Sequence, residues 1–380
     1  MSNHVLQFDG SADIQEIVQS LKDAKRNFEI QTICFTQVEL DVAIVKALVD
    51  LLRSTSNREF HAVQLKECTS SSSKLCTLVS ILMLLENVKG ISLKSIDLPS
   101  KVMETLGACL VGNCMTPSLG LDVPISQTVI SIIARGIEKN THLKILDLSG
   151  CFMDMQALVT IGEALKMNSG IVALKLANCD LVDEQIEYLA HNTLESHMSL
   201  KELNLKGNRC RSGGLNAIAR LLQSKVNKLE SLVVSYQGVS SGDKFGILPL
   251  ATSLGNNNHL KFLDISNNSP VDAEDKVWDV IRVCEALREN CTLLHLDISA
   301  NNIGDADLVQ IMNILCQNST LQILDLQNNN ITNEGMAEFA KLVGGIKGLK
   351  KIFLCGNKFG IAGIRFLLDS LPATMEHDFF

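Results

Sequence analysis

Along most of the chain, apolar residues recur in the frame L-x-x-L-x-L, followed by Asn or Cys three positions after the last leucine. Leu143, Leu146, Leu148 and Cys151 define the frame. It returns at Ile171/Leu174/Leu176/Cys179, Leu200/Leu203/Leu205/Asn208, Leu229/Leu232/Val234/Gln237 and Leu260/Leu263/Ile265/Asn268. Three further copies are Leu293/Leu296/Ile298/Asn301, Leu321/Leu324/Leu326/Asn329 and Leu349/Ile352/Leu354/Asn357. Upstream, Thr116/Leu119/Leu121, Val88/Ile91/Leu93, Phe60/Val63/Leu65 and Ile30/Ile33/Phe35 fall in phase, preceded by a degenerate unit with Leu6 and Phe8. Thirteen units, 27 to 33 residues apart, cover residues 3–371. The alternation inside each frame predicts a short strand with one buried face.

The second half of each unit reads as a helix. Leu158, Ile161 and Leu165 lie three and four apart on one face, and the clearest copies end A/G-L-x-x-N, as at Asn168 and Asn290. Asparagine tolerates the left-handed conformation, so it is expected to close the helix there. Each unit is then a strand, a loop, a crossover helix and a return loop, which is what neighbouring parallel strands require.

A repeat of about 28 residues, with Asn or Cys after the strand and A-L-x-x-N-x-x-L ending the helix, resembles the ribonuclease-inhibitor-like leucine-rich repeats. The resemblance implies an α/β horseshoe solenoid, with parallel strands lining the concave face and helices on the convex face. It implies a protein-binding scaffold in the cytosol and names no partner. The expected organisation is a single leucine-rich-repeat domain, 1–380, with residues 1–29 as a degenerate cap unit and residues 349–380 as the last unit and a tail.

Composition narrows the function further. Apolar residues make up 46%, with one tryptophan and two tyrosines, which suits thin layers of aliphatic side chains. A net charge of −8 argues against nucleic acid as partner, because phosphate neutralisation needs clustered Lys and Arg. The apolar run at residues 75–85 is too short to span a bilayer, so no membrane partner is expected. Twelve dispersed cysteines without a CxxC pair, and an N-terminus without the pattern of a signal peptide, point to free thiols in a reducing cytoplasm. Cys68, Cys151 and Cys179 occupy the post-strand position and are read as structural. His191 and His197 lack the HExxH arrangement, no phosphate-binding glycine loop occurs, and no nucleophile has a recognisable context. Neither an enzyme nor a metal or other cofactor is expected.

Candidate contacts are sought where strand residues point away from the helices. Asp264, Asp297 and Asp325 recur at the fifth position of neighbouring units, with Asp147 farther away. They read either as negative potential for a basic partner or as solvated consensus residues. Beside them Tyr236, Phe262, His295, Ile323 and Phe353 are candidate contacts, although Phe353 also fits a role in closing the last unit. The units starting at Leu229 and Leu260 are long, which places insertions around residues 235–245 and 269–276. Trp278 follows the second and reads first as core, and residues 238–242 read as a mobile loop. Residues 69–74, T-S-S-S-S-K, read as another loop. The main contact surface is therefore expected at residues 230–357. An alternative from another class is activation of a small Ran-like GTPase; Arg209 and Arg211 occupy a glycine-flanked loop just after a strand, but a surface arginine needs no catalytic explanation and no motif assigns catalytic residues.

Overall fold

A computed structural model describes residues 4–27, 29–55, 58–122, 127–237, 247–268, 280–368, 370 and 376–378. The chain divides into two compact units, Met1–Cys179 and Asp180–Phe380. The first contains β1 (Val5–Asp9), α1 (Ile14–Asp23), β2 (Thr32–Thr36), α2 (Val42–Ser54), β3 (Ala62–Lys66), α3 (Ser72–Leu84) and β4 (Gly90–Lys94). It continues with α4 (Ser100–Val111), β5 (Ser118–Asp122), α5 (Gln127–Lys139), β6 (Ile145–Asp147), α6 (Met155–Met167) and β7 (Ala173–Lys175).

The second unit contains α7 (Asp183–Tyr188), β8 (Glu202–Asn204), α8 (Ser212–Gln223), β9 (Ser231–Val233), α9 (Ile247–Asn256), β10 (Phe262–Asp264) and α10 (Val280–Ala286). After these come β11 (His295–Asp297), α11 (Asp305–Leu315), β12 (Ile323–Asp325), α12 (Asn333–Leu342), β13 (Lys351–Phe353), α13 (Ile361–Leu368) and β14 (Glu376–Asp378). Within each unit the strands pair in parallel and in chain order. All thirteen sequence frames coincide with strands. This is the leucine-rich-repeat solenoid fold, an alternation of strands and crossover helices. The tail holds one strand more than the thirteen frames predict: β14 pairs with β13, and Lys351 Nζ meets Glu376 Oε2 at 3.2 Å.

The leucine frame forms the core because register stacks like on like. Leu263, Leu296, Leu324 and Ile352 are mutual neighbours in successive strands, and none is exposed to solvent. Leu158, Ile161 and Leu165 close the same kind of layer from α6.

Chain reversal does not use the residues expected for it. Asn168, after α6, has φ −92° and ψ 124°, which is extended rather than left-handed. Its amide instead reaches across to the preceding repeat. Nδ2 donates to Ile137 O and Asn140 O, both at 2.7 Å, and Oδ1 accepts from the N–H groups of Gly170 and Ile171. Asn290 repeats the pattern on Leu254 O, Asn257 O, Thr292 N and Leu293 N. A side chain with two donors and two acceptor sites satisfies four buried backbone groups that a left-handed residue would leave unpaired.

The left-handed residue lies at the other end of the strand, one position before the buried ladder residue. Gln37, Glu67, Ser95, Gly150 and Asn178 take it in the first unit. Gly207, Tyr236, Asn267, Ala300, Asn328 and Gly356 take it in the second. The ladder residue that follows then faces inward. Asn301 Nδ2 donates to Ile265 O while its Oδ1 accepts from Asn268 N, and Asn329 Oδ1 accepts from Asn301 N and Ile303 N. In the first unit the thiols of Cys68, Cys151 and Cys179 donate to Phe35 O, Leu121 O and Leu148 O at 3.2–3.4 Å. A thiol is both a weaker donor and a weaker acceptor than the amide that fills the same position in the second unit.

One local expectation changes. Residues 69–74 are not all loop, because α3 begins at Ser72 and Ser70 Oγ donates to Leu40 O at 2.7 Å. His191 lies in a π-helical turn, Leu189–Leu194, with Nδ1 3.8 Å from Glu195 Oε2. Residues 238–246 and 269–279, with Trp278 and most of both insertions, lie outside the described residues.

Candidate protein-binding face of the strands

In β8 to β13 each strand buries its central residue and turns its flanking residues to the opposite face. Register places Phe262, His295, Ile323 and Lys351 in one row and Asp264, Asp297, Asp325 and Phe353 in the other. Phe353 thus continues the aspartate row rather than lying beside it. Phe262 and His295 meet edge to face, with ring centroids 4.7 Å apart at 86°. Both rings are half-buried, as is Ile323. Lys351 Nζ sits 4.9 Å from the centroid of the Phe353 ring.

The aspartates are not simply solvated. Each folds back on the turn after its strand: Oδ1 of Asp264, Asp297 and Asp325 accepts from the N–H of Ser266, Ser299 and Gln327 at 2.9 Å. Asp264 is buried and also accepts from Ser235 Oγ at 3.0 Å. The Asp-x-Ser spelling of the repeat is therefore a local turn device as well as a charge. Burial raises the Asp297 carboxyl above the usual range, against its hydrogen bonds to Ser299. Burial also lowers His295 below the usual imidazole value, with Asp297 and Asp264 acting the other way.

Tyr236 lies just beyond β9, apart from both rows. It is 59% exposed and left-handed at φ 55°. A bulky side chain is rare in that conformation, which the repeat imposes at the equivalent position of each frame. Arg209 donates Nη2 to Asp180 Oδ2 at 2.6 Å, so its guanidinium is occupied within its own unit.

Reasoning from repeats alone missed the strand face of the first unit. There a trough of about 310 Å³ crosses β3 to β7, lined by Lys66, Lys94, Lys175 and His61 with Asp147. The visible signal was the lysine recurring at or near strand ends in β3, β4 and β7. Asp147 belongs to this trough, where Lys94 Nζ lies 3.2 Å from its Oδ2. Among the described residues no group of His, Cys, Asp and Glu has a metal-binding arrangement.

A family profile described as Leucine Rich repeat matches residues 139–152, 289–312 and 317–340. The ribonuclease inhibitor of Sus scrofa is 30% identical over 226 residues, covering 53% of this chain and 49% of that protein. NACHT, LRR and PYD domains-containing protein 14 of Mus musculus is 28% identical over 193 residues, 44% of this chain and 19% of that protein. The chain spans about half the length of the first of these curated relatives and about a fifth of the second. The leucine-rich repeat-containing protein LegL7 from Legionella pneumophila superposes with a TM-score of 0.49 at 16% identity, over 90% of this chain and 99% of its own.

Proposed function

We propose that this chain, a member of the ribonuclease-inhibitor-like leucine-rich-repeat family, is a non-enzymatic protein-binding scaffold that works in the cytoplasm through the strand face of its second unit. The observation that carries the reading is the Phe262–His295–Ile323 row, half-exposed on the face away from the helices. Rigid aromatic groups on such a face match the composition of interface centres. Tyr236, exposed beyond the rows, extends the same surface. The carboxylates of Asp264, Asp297 and Asp325 favour a partner with a basic surface, and their turn hydrogen bonds hold them in place. The cytoplasmic assignment rests on the twelve thiols, which a reducing compartment preserves.

The test is affinity purification from cytosol with mass spectrometry, comparing the wild-type chain with Tyr236→Ala/Phe262→Ala. For a purified partner the double variant is expected to cost roughly 2 kcal/mol or more, the scale of central anchors. Changing Asp264, Asp297 and Asp325 to Asn is expected to weaken binding and flatten its salt dependence. Partners that ignore both sets of changes but are lost on substitution of the helix faces would overturn the reading.

A further inference from the structure

The trough on the first unit has a chemistry opposite to that of the second. Lys66 and Lys94 are register partners on β3 and β4, and Lys175 is the partner of Asp147 two strands beyond β5 on β7. Like charges directly opposite in a sheet destabilise it. Three carboxylates offset part of that repulsion: Glu67 lies 3.4 Å from Lys66 Nζ, Asp147 3.2 Å from Lys94 Nζ, and Asp122 is the register partner of Lys94 on β5. Lys175 lies opposite Asp147 on the neighbouring strand but forms no ion pair within 4.0 Å among the described residues, and His61 adds an exposed imidazole at the rim. Gly90, Ser92, Ser118 and Gly120 keep the floor between the lysines low.

We infer that this trough binds an extended acidic segment of a partner protein, a run of Asp and Glu side chains lying across the strands. Spacing selects the shape of the ligand. Lys66 and Lys175 stand four strands apart, about 19 Å at the usual strand separation, which is far beyond the reach of one phosphate or carboxylate. A chain of carboxylates spans it. The shallow floor lets a peptide backbone lie close to the sheet. Nucleic acid is disfavoured because the lining holds no Phe, Tyr or Trp on which bases stack, and because three lysines supply few phosphate contacts. The chain as a whole carries −8, which disfavours a polyanion away from local clusters of positive charge. The inference stands apart from the reading of the second unit, which keeps its own test.

The experiment uses the full chain and fluorescein-labelled deca-glutamate, read by fluorescence anisotropy at low and physiological salt. Saturable binding is expected, weakened by salt and at least tenfold weaker in K66Q/K175Q, with single variants in between and an unchanged thermal midpoint. The triple Asp→Asn variant of the second unit is expected to bind the peptide no more weakly than wild type. A labelled ten-nucleotide oligo-dT is the competing arm. Absence of peptide binding, binding that K66Q/K175Q retains, or oligo-dT binding at least as tight as the peptide would each overturn the proposal.

Discussion

Two residues on the second unit's strand face carry consequences that can be measured singly. Tyr236 occupies a position that repeats through the chain, and its equivalents Asn178, Asn267 and Asn328 have φ of 55°, 51° and 53°. An ordinary side chain pays about 1–2 kcal/mol there, whereas Asn visits the region readily. Tyr236→Asn is therefore expected to raise the urea midpoint, by about 0.5–1 kcal/mol of stability, while weakening partner binding. A lower midpoint would mean that the ring's own contacts outweigh the backbone strain. His295 makes a pH prediction. Its pKa in the folded chain is depressed below the ordinary 6.5 by burial, so the unfolded chain takes up the proton first as pH falls. Stability from this group is complete above about pH 6.5 and lost below it. Urea melts from about pH 7.5 to 5.5 should show a steeper decline for wild type than for His295→Gln. Equal slopes would refute the assignment.

At the scale of the strand–helix element, stability comes from layers that repeat with the register. Leu296 and Leu324 are adjacent, fully buried members of one row. Truncating either to alanine is expected to cost about 2–5 kcal/mol in denaturant melts. Melts unchanged by both would mean that the register is misassigned. The connections between layers are polar. Asn168 and Asn290 each tie one helix end to the previous repeat, and Glu230 ties three successive repeats through Lys201 and Lys261, both at 2.6 Å. Those two ammonium groups hold the Glu230 carboxyl below its ordinary range. The exposed ion pairs add little, since solvent screens them. The buried amides matter more, because removing one strands several backbone groups without partners.

For the whole molecule, cysteine chemistry offers the broadest check. The twelve cysteines are thiols spread over both units, and only Cys291 and Cys316 are classed as exposed. Burial pushes the Cys179 thiol up to about 12 and raises Cys210 as well, which suppresses the reactive thiolate. Titration of the native chain is expected to label Cys291 and Cys316 first and to leave Cys179 and Cys210 unmodified. Titration after denaturation without reductant should count nearly all twelve. Several disulfides in that measurement would overturn the assignment to a reducing compartment. The strand faces divide by charge in the same chain: lysines on the first unit, aspartates with aromatic rings on the second.

The apolar frame alone located every strand from β1 to β13, the helix faces and the ladder positions, because burial imposes a period that survives in one dimension. It also identified Asp264, Asp297 and Asp325 as a row, since equal positions in equal repeats must align. It could not tell what those carboxylates do. Their turn hydrogen bonds, and the burial of Asp264 beside Ser235, depend on side-chain directions that no spacing records. Asn168 and Asn290 recur at one position of the repeat, which marks the helix end without fixing what the side chain bonds. A local rule assigns them a backbone conformation, while the carbonyls that their amide groups bond lie 28 to 36 residues away in the preceding repeat. The same distance hid the lysine trough. Lys66, Lys94 and Lys175 belong to different repeats and different frame positions, and only the stacking of β3 to β7 sets them around one floor. Burial of apolar residues is written into local periodicity; the pairing of polar groups is decided by neighbours that the chain reaches only after a full turn of the solenoid.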